Sequence, residues 1–214
     1  MATLNAEMDN YSFNTVGLCA EDINRLNDTY KALKAKFNVE TTGYIDFYLE
    51  EFDVFKNYPD INLRGSFVIK YQGNESYIFF IEKHFRRSGG RGQTLVDCYE
   101  YQTWALAYLK KDFGRVLIRK ETLADKIIEL VHPVELDFDE DKPFSDTFYV
   151  LVNDHQKAVE AINRNFRNAV MDIRHDDFVI EIMEHTLIIG DQKPVSTERA
   201  VYLAEFVARI SSIC

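Results

Sequence analysis

Proline and glycine are scarce in this 214-residue chain, at 4 and 9 residues. That scarcity, set beside 14% aromatic residues, excludes collagen-like, mucin-like and wholly disordered chains. Cysteine is also rare. Cys19, Cys98 and Cys214 are odd in number and far apart, so neither a CxxC redox or zinc-ribbon motif nor a disulfide framework is available. Long apolar runs are missing too. The longest uncharged one, near Trp104-Ala-Leu-Ala-Tyr-Leu109, falls well short of the ~20 residues of a membrane span. The first residues, Met1-Ala-Thr-Leu-Asn-Ala-Glu-Met-Asp9, contain no basic stretch followed by an apolar one and so do not read as a secretory signal. These absences point to a soluble, cytoplasmic protein with no membrane span, and leave peripheral contact with a membrane surface open.

What is present is charge, unevenly spread. The net charge of −10 argues against general nucleic-acid binding, which needs clustered cations. Residues 1–60 hold 5 Lys+Arg against 11 Asp+Glu, residues 61–120 hold 11 against 5, and residues 121–214 hold 9 against 19. A basic centre therefore lies between two acidic ends, able either to attract them within the fold or to face an anionic partner.

Periodicity divides the chain in the same places. Ile23, Leu26, Tyr30, Leu33 and Phe37 recur at helical spacing, which predicts an N-terminal helix over 21–37 within a helical segment 1–60. The aromatic-rich stretch 44–55 fits helix or strand. From about 62 to 119 the period becomes two, and the turn chemistry of Gly73, Gly89 to Gly92 and Gly114 predicts a four-stranded antiparallel meander. Its third strand, 93–109, is long enough to suggest a bend or bulge near Glu100. A second module, 121–214, reads as helix (121–130), strand (147–152), helix (Ala158, Ile162, Phe166, Ala169, Val170), hairpin (178–189) and final helix after Pro194. The expected class is α+β, with residues 61–214 as one domain. Phe67, Ile69, Phe79, Ile81, Trp104, Leu117, Val150, Ile162, Phe166, Ile180, Ile188 and Val207 are the expected core.

Chemical motifs mostly fail their own requirements. Asp137-Phe-Asp139-Glu-Asp141 opens like a calcium loop, but Lys142 stands where the loop needs glycine and Phe148 where it needs a bidentate Glu. His84, His132, His155, His175 and His185 form no HExxH pair, and no GxSxG elbow or catalytic cysteine signature occurs. Gly89-Gly-Arg-Gly92 is followed by a strand-like sequence rather than a helix, which removes the N-terminal N–H groups a dinucleotide needs. No catalytic, cofactor-binding or metal-binding residue is assigned. The expected site is the loop bearing Arg86, Arg87 and Arg91, whose guanidinium forks suit a carboxylate, phosphate or acidic protein surface.

Several segments together resemble a widespread family of uncharacterised bacterial α+β domains that often accompany membrane-spanning segments. They are Phe52-Asp-Val-Phe55, Leu63-Arg-Gly-Ser-Phe67 with Tyr71-Gln-Gly73, the Gly-rich loop with Gln93-Thr94, and Val134-Glu-Leu-Asp-Phe-Asp139 leading to Phe144-Ser145. The resemblance covers about residues 50–190 and implies a strand, an acid-capped helix and a hairpin after its last motif. It supplies no catalytic residues. The missing catalytic signatures and the segregated charge point to a non-enzymatic protein-interaction module; the alternative is a hydrolase-like enzyme whose site assembles from dispersed Asp, Glu and His.

Overall fold

The computed structural model describes residues 11–43, 45–56, 60–88, 95–120 and 133–214. The chain opens with helix α1 (Ala20–Lys36), which buries Leu26 and Leu33 and places Glu21 and Asp22 in its first turn and Lys34 and Lys36 in its last, as the helix dipole favours. Strand β1 (Asn38–Thr41) follows, so the N-terminal segment contributes a strand as well as its helix. A single 3-10 turn (Leu49–Glu51) and a short helix α2 (Asp53–Lys56) resolve the ambiguous aromatic stretch. Three long strands come next: β2 (Asp60–Tyr71), β3 (Asn74–Ser88) and β4 (Leu95–Tyr108). Then come β5 (Arg115–Lys120), β6 (Val134–Glu135), α3 (Lys142–Ser145), β7 (Phe148–Val152), α4 (His155–Ala161), α5 (Arg164–Asp172), β8 (Val179–Met183), β9 (Thr186–Gly190) and α6 (Thr197–Ile213). The class is α+β.

The nine strands among the described residues join one antiparallel sheet in the order β1-β2-β3-β4-β9-β8-β5-β7-β6. β2, β3 and β4 form a meander, with the β2–β3 turn set by positive φ at Gln72 and Gly73. The expected fourth strand does not extend it. β9 and β8 lie between β4 and β5, and β5 pairs with β8 and β7 instead. Burial explains this order: Leu187, Ile188 and Ile189 of β9 are apolar on both faces and claim a central position, whereas short connections only favour adjacency.

Two further expectations are corrected. The β3–β4 register runs unbroken from Ser76 opposite Ala107 to Ser88 opposite Leu95, so there is no bulge near Glu100. The irregularity lies in β2 between Leu63 and Gly65, which makes Arg64 the extra residue. The expected helix through Ala158, Ile162 and Val170 is two helices. Asn163 interrupts it by accepting the Asn165 and Phe166 N–H groups as a cap, a bond that a mid-helix asparagine cannot make. The expected helix at 121–130 lies outside the described residues.

Each face of the sheet carries a core. On one, α1 and α6 with the α4–α5 pair cover Phe67, Ile78, Phe80, Ala105, Val116, Val150, Ile180 and Leu187. On the other, Phe47, Phe52, Val54 and Phe55 cover Phe79, Ile81, Trp104, Leu106 and Ile188. All twelve expected core residues are buried.

Candidate interaction surface

β3 and β4 are long because their register continues past their neighbours. β2 follows β3 only as far as Asp60 opposite His84, and β9 follows β4 only from Trp104 to Tyr108. Residues 85–88 and 95–98 therefore form a two-stranded arm, and among the described residues no strand pairs with β4 along 95–103 on its outer side. Val195 N–H donates to Tyr101 O at 2.7 Å on this outer edge.

Pleating divides the arm between two faces. One carries His84, Arg86 and Ser88 with Leu95, Asp97 and Tyr99; the other carries Lys83, Phe85 and Arg87 with Val96, Cys98 and Glu100. On the first face Asp97 gathers the charge: Arg86 Nε donates to its Oδ1 at 3.0 Å, and His84 Nε2 stands 2.9 Å from the same oxygen. His84 also lies 3.5 Å from Asp60 and stacks on Tyr99 with ring centroids 5.0 Å apart. The hydrogen bond to Asp97 holds the His84 imidazolium above its ordinary pKa, and the same bond draws Asp97 below its own. On the second face Arg87 is exposed and makes no ion pair among the described residues. Leu95 and Tyr99 on the first face and Val96 on the second are 62%, 55% and 55% exposed, so each face sets apolar surface beside a cation.

Sequence expectation and structure differ here in detail. Arg86 and Arg87 sit in β3 rather than in a loop, because their strand pairs fully with 95–98. They point to opposite faces, and Arg86 is held by Asp97 within the hairpin rather than by an acidic terminal segment. Arg91 lies outside the described residues. Sequence reading missed the exposed Leu95, Val96 and Tyr99, although a β-rich run directly after the Gly-rich loop was the available signal.

The base of the arm is fixed by a buried polar cluster. Glu82, 2% exposed, accepts from Arg64 Nε at 2.9 Å and Asn62 Nδ2 at 3.1 Å, and Arg64 also pairs with it through Nη2. Tyr101 stands opposite Glu82, and burial, then that carboxylate, raises its pKa well above the usual phenol value. Arg64 reaches this cluster from the bulge in β2. An open groove of about 430 Å³ beside it is lined by Phe13, Thr41, Ile45, Leu63 and Ser66, and its one cation, Arg64, is already bound by Glu82.

Across the sheet Glu181 is 1% exposed and accepts the N–H groups of Asp53 and Val54, each at 2.9 Å. Arg115 donates to Asp53 Oδ2 at 3.2 Å and to Glu51 O at 3.1 Å. These bonds pin the covering segment to β8 and β5. Asp191, also buried, is bound by Arg199 at 3.0 Å. His84 lies on β3 and His155 on α4, His175 and His185 lie in separate turns, His132 lies outside the described residues, and no set of three or more His, Cys, Asp or Glu side chains converges as a metal site among the described residues. No helix among them is long and apolar enough to cross a membrane.

No family model and no curated protein matches the chain. Among solved structures it is similar to the crystal structure of the mycobacterial trehalose monomycolate transport factor A, TtfA, at 12% sequence identity and a TM-score of 0.53. The chain has a TtfA-like fold. The alignment covers 91% of this chain and 94% of that one, so the likeness spans nearly the whole of both, and at this identity it is a likeness of fold alone.

Proposed function

We propose that this protein is a non-enzymatic interaction module that engages an acidic protein partner through the β3–β4 arm. The observation that carries the reading is the juxtaposition of exposed Arg87, which makes no ion pair among the described residues, with exposed Val96, its cross-strand neighbour, on an arm that projects past β2 and β9. Residues 83–100 hold four Lys or Arg against two Asp or Glu in a chain of net charge −10. That contrast favours an anionic surface, since clustered cations steer approach while apolar neighbours supply contact area. Buried acids give the hydrolase alternative less support, because Glu82, Glu181 and Asp191 are each engaged by a cation or by backbone N–H groups. Three free cysteines suit a reducing cytoplasm, and the resemblance to uncharacterised bacterial domains over about residues 50–190 belongs to the same proposal.

The test is titration of the partner isolated from the native cell against wild type and an Arg86/Arg87/Arg91→Ala triple variant at two salt concentrations. Affinity for wild type should fall as salt rises above ~0.1 M, where the screening length drops below ~10 Å, and the variant should bind more weakly with a shallower salt slope. Equal affinity and equal slope would remove the arm from function.

A further inference from the structure

The outer side of β4 differs from the two ends of the sheet. At one end β1 has only four residues and exposes Asn38, Glu40 and Thr41; at the other β6 has only two residues. Short, polar edges of this kind resist pairing with other chains. β4 is longer and less polar along 95–100: Leu95, Val96 and Tyr99 are exposed, and the charge of Asp97 is taken up by Arg86 and His84. Its backbone is also oriented for pairing. Tyr101 O accepts from Val195 and Leu109 N–H donates to His185 O, so odd-numbered residues of β4 aim their backbone groups away from β3. In an antiparallel ladder a residue sends N–H and C=O to the same side, which turns those of Leu95, Asp97 and Tyr99 outward.

We infer that this edge is completed by an extended segment of the acidic partner, alternating apolar and acidic residues, which adds to β4 as a further strand. The inference rests on the interaction reading above and specifies its chemistry. Backbone groups of Leu95, Asp97 and Tyr99 bind the added strand; its apolar residues lie beside Leu95 and Tyr99 on one face, and its carboxylates lie on the other face, where Arg87 stands opposite Val96. A second copy of this chain is the wrong occupant, because β4-to-β4 pairing would set two cationic arms side by side.

The probe is an acetylated, amidated Val-Glu-Val-Glu-Val-Glu-Val peptide titrated into the isotope-labelled full chain. Amide exchange at Leu95, Asp97 and Tyr99 should slow by about tenfold or more at saturation, while exchange at the core strands stays as it was. The matching Val-Lys peptide should bind about tenfold more weakly, and an Arg87→Glu variant should reverse that preference. Tyr99→Pro removes one outward N–H without touching the bonds to β3 and should weaken the Val-Glu peptide by about tenfold. Equal binding of both peptides, protection elsewhere than β4, or concentration-dependent protection of β4 without peptide would each overturn the inference. Loss of partner binding in the triple arginine variant, with no peptide protecting β4, would sink strand addition and leave the interaction reading standing. Protection of β4 by the acidic peptide, with partner affinity unchanged in the triple variant, would do the reverse.

Discussion

Gly190 lies directly against the indole of Trp104, its cross-strand partner in the β4–β9 pairing. Trp104 is buried, donates its Nε1–H to Gln102 Oε1 at 3.1 Å, and packs edge-on against Phe55 of the covering segment at 4.7 Å. A Cβ on residue 190 would stand 2.5 Å from the indole Cε3. The glycine is therefore what allows the indole to lie flat across β9 and still reach Phe55.

Gly190→Ala should force the indole or the strand to move. Overpacking of a tight core typically costs about 1–3 kcal/mol, and this site belongs at the upper end because the ring is enclosed on both sides. A denaturant midpoint and a tryptophan fluorescence maximum both unchanged from wild type would show that the contact is slack.

Glu181 supplies a second prediction, with a pH dependence. Burial raises its pKa, while the N–H groups of Asp53 and Val54 favour the ionised form. Glu181→Ala leaves both donors without that acceptor and should cost about 1–3 kcal/mol. Because the folded-state pKa lies above the ordinary value of 4.5, the folded protein holds the proton more tightly than the unfolded chain. The corresponding stability is present below pH 4.5 and is lost as pH rises through the folded pKa. The stability of wild type relative to Glu181→Gln should thus decline across that window. A difference that grows with pH there would reverse the sign and refute the burial argument.

How much of this was legible beforehand depends on the range of the interaction. α1, β7, the β8–β9 hairpin and α6 follow from local periodicity, and Asp154 caps α4 by accepting the Lys157 N–H. Core membership followed as well, because alternation along a strand fixes which side chains point inward whatever the neighbouring strand is. Strand order did not. The insertion of β8–β9 between β4 and β5 depends on which strands are apolar on both faces, a competition among segments about 70 residues apart. For the arm, the cations were visible but their state was not, since the Arg86–Asp97 pair is set by a register that continues past the Gly-rich turn.

Phe166 tests the joint between helices and sheet. It is fully buried on α5, with its ring 5.3 Å from that of Phe113 in the segment between β4 and β5. Phe166→Ala should destabilise by about 3–5 kcal/mol through lost burial and a residual cavity. An unfolding midpoint equal to wild type would mean that α5 does not pack on the sheet through this ring.

His84 gives the last prediction, and it links the arm to pH. Four groups surround the imidazole: Asp97 and Tyr99 on β4, Asp60 on β2, and Arg86 on its own strand. The Asp97 hydrogen bond dominates and raises the pKa above its ordinary 6.5, with Asp60 adding to it. The sign is that of a cation gaining a partner on folding. Stabilisation of the arm by this pair is complete below pH 6.5 and fades as pH climbs through the folded-state pKa. An NMR titration of the His84 ring should show a midpoint above 6.5 in wild type and a lower one in Asp97→Asn, where the acceptor keeps its shape and loses its charge. The same protonation adds positive charge to the face that bears Leu95 and Tyr99. Association with an acidic partner should therefore quicken as pH falls from about 8 to 6, and His84→Gln should flatten that dependence. A wild-type midpoint at or below 6.5 would show that Asp97 does not hold the imidazolium, and the pH response of the arm would have to be dropped with it.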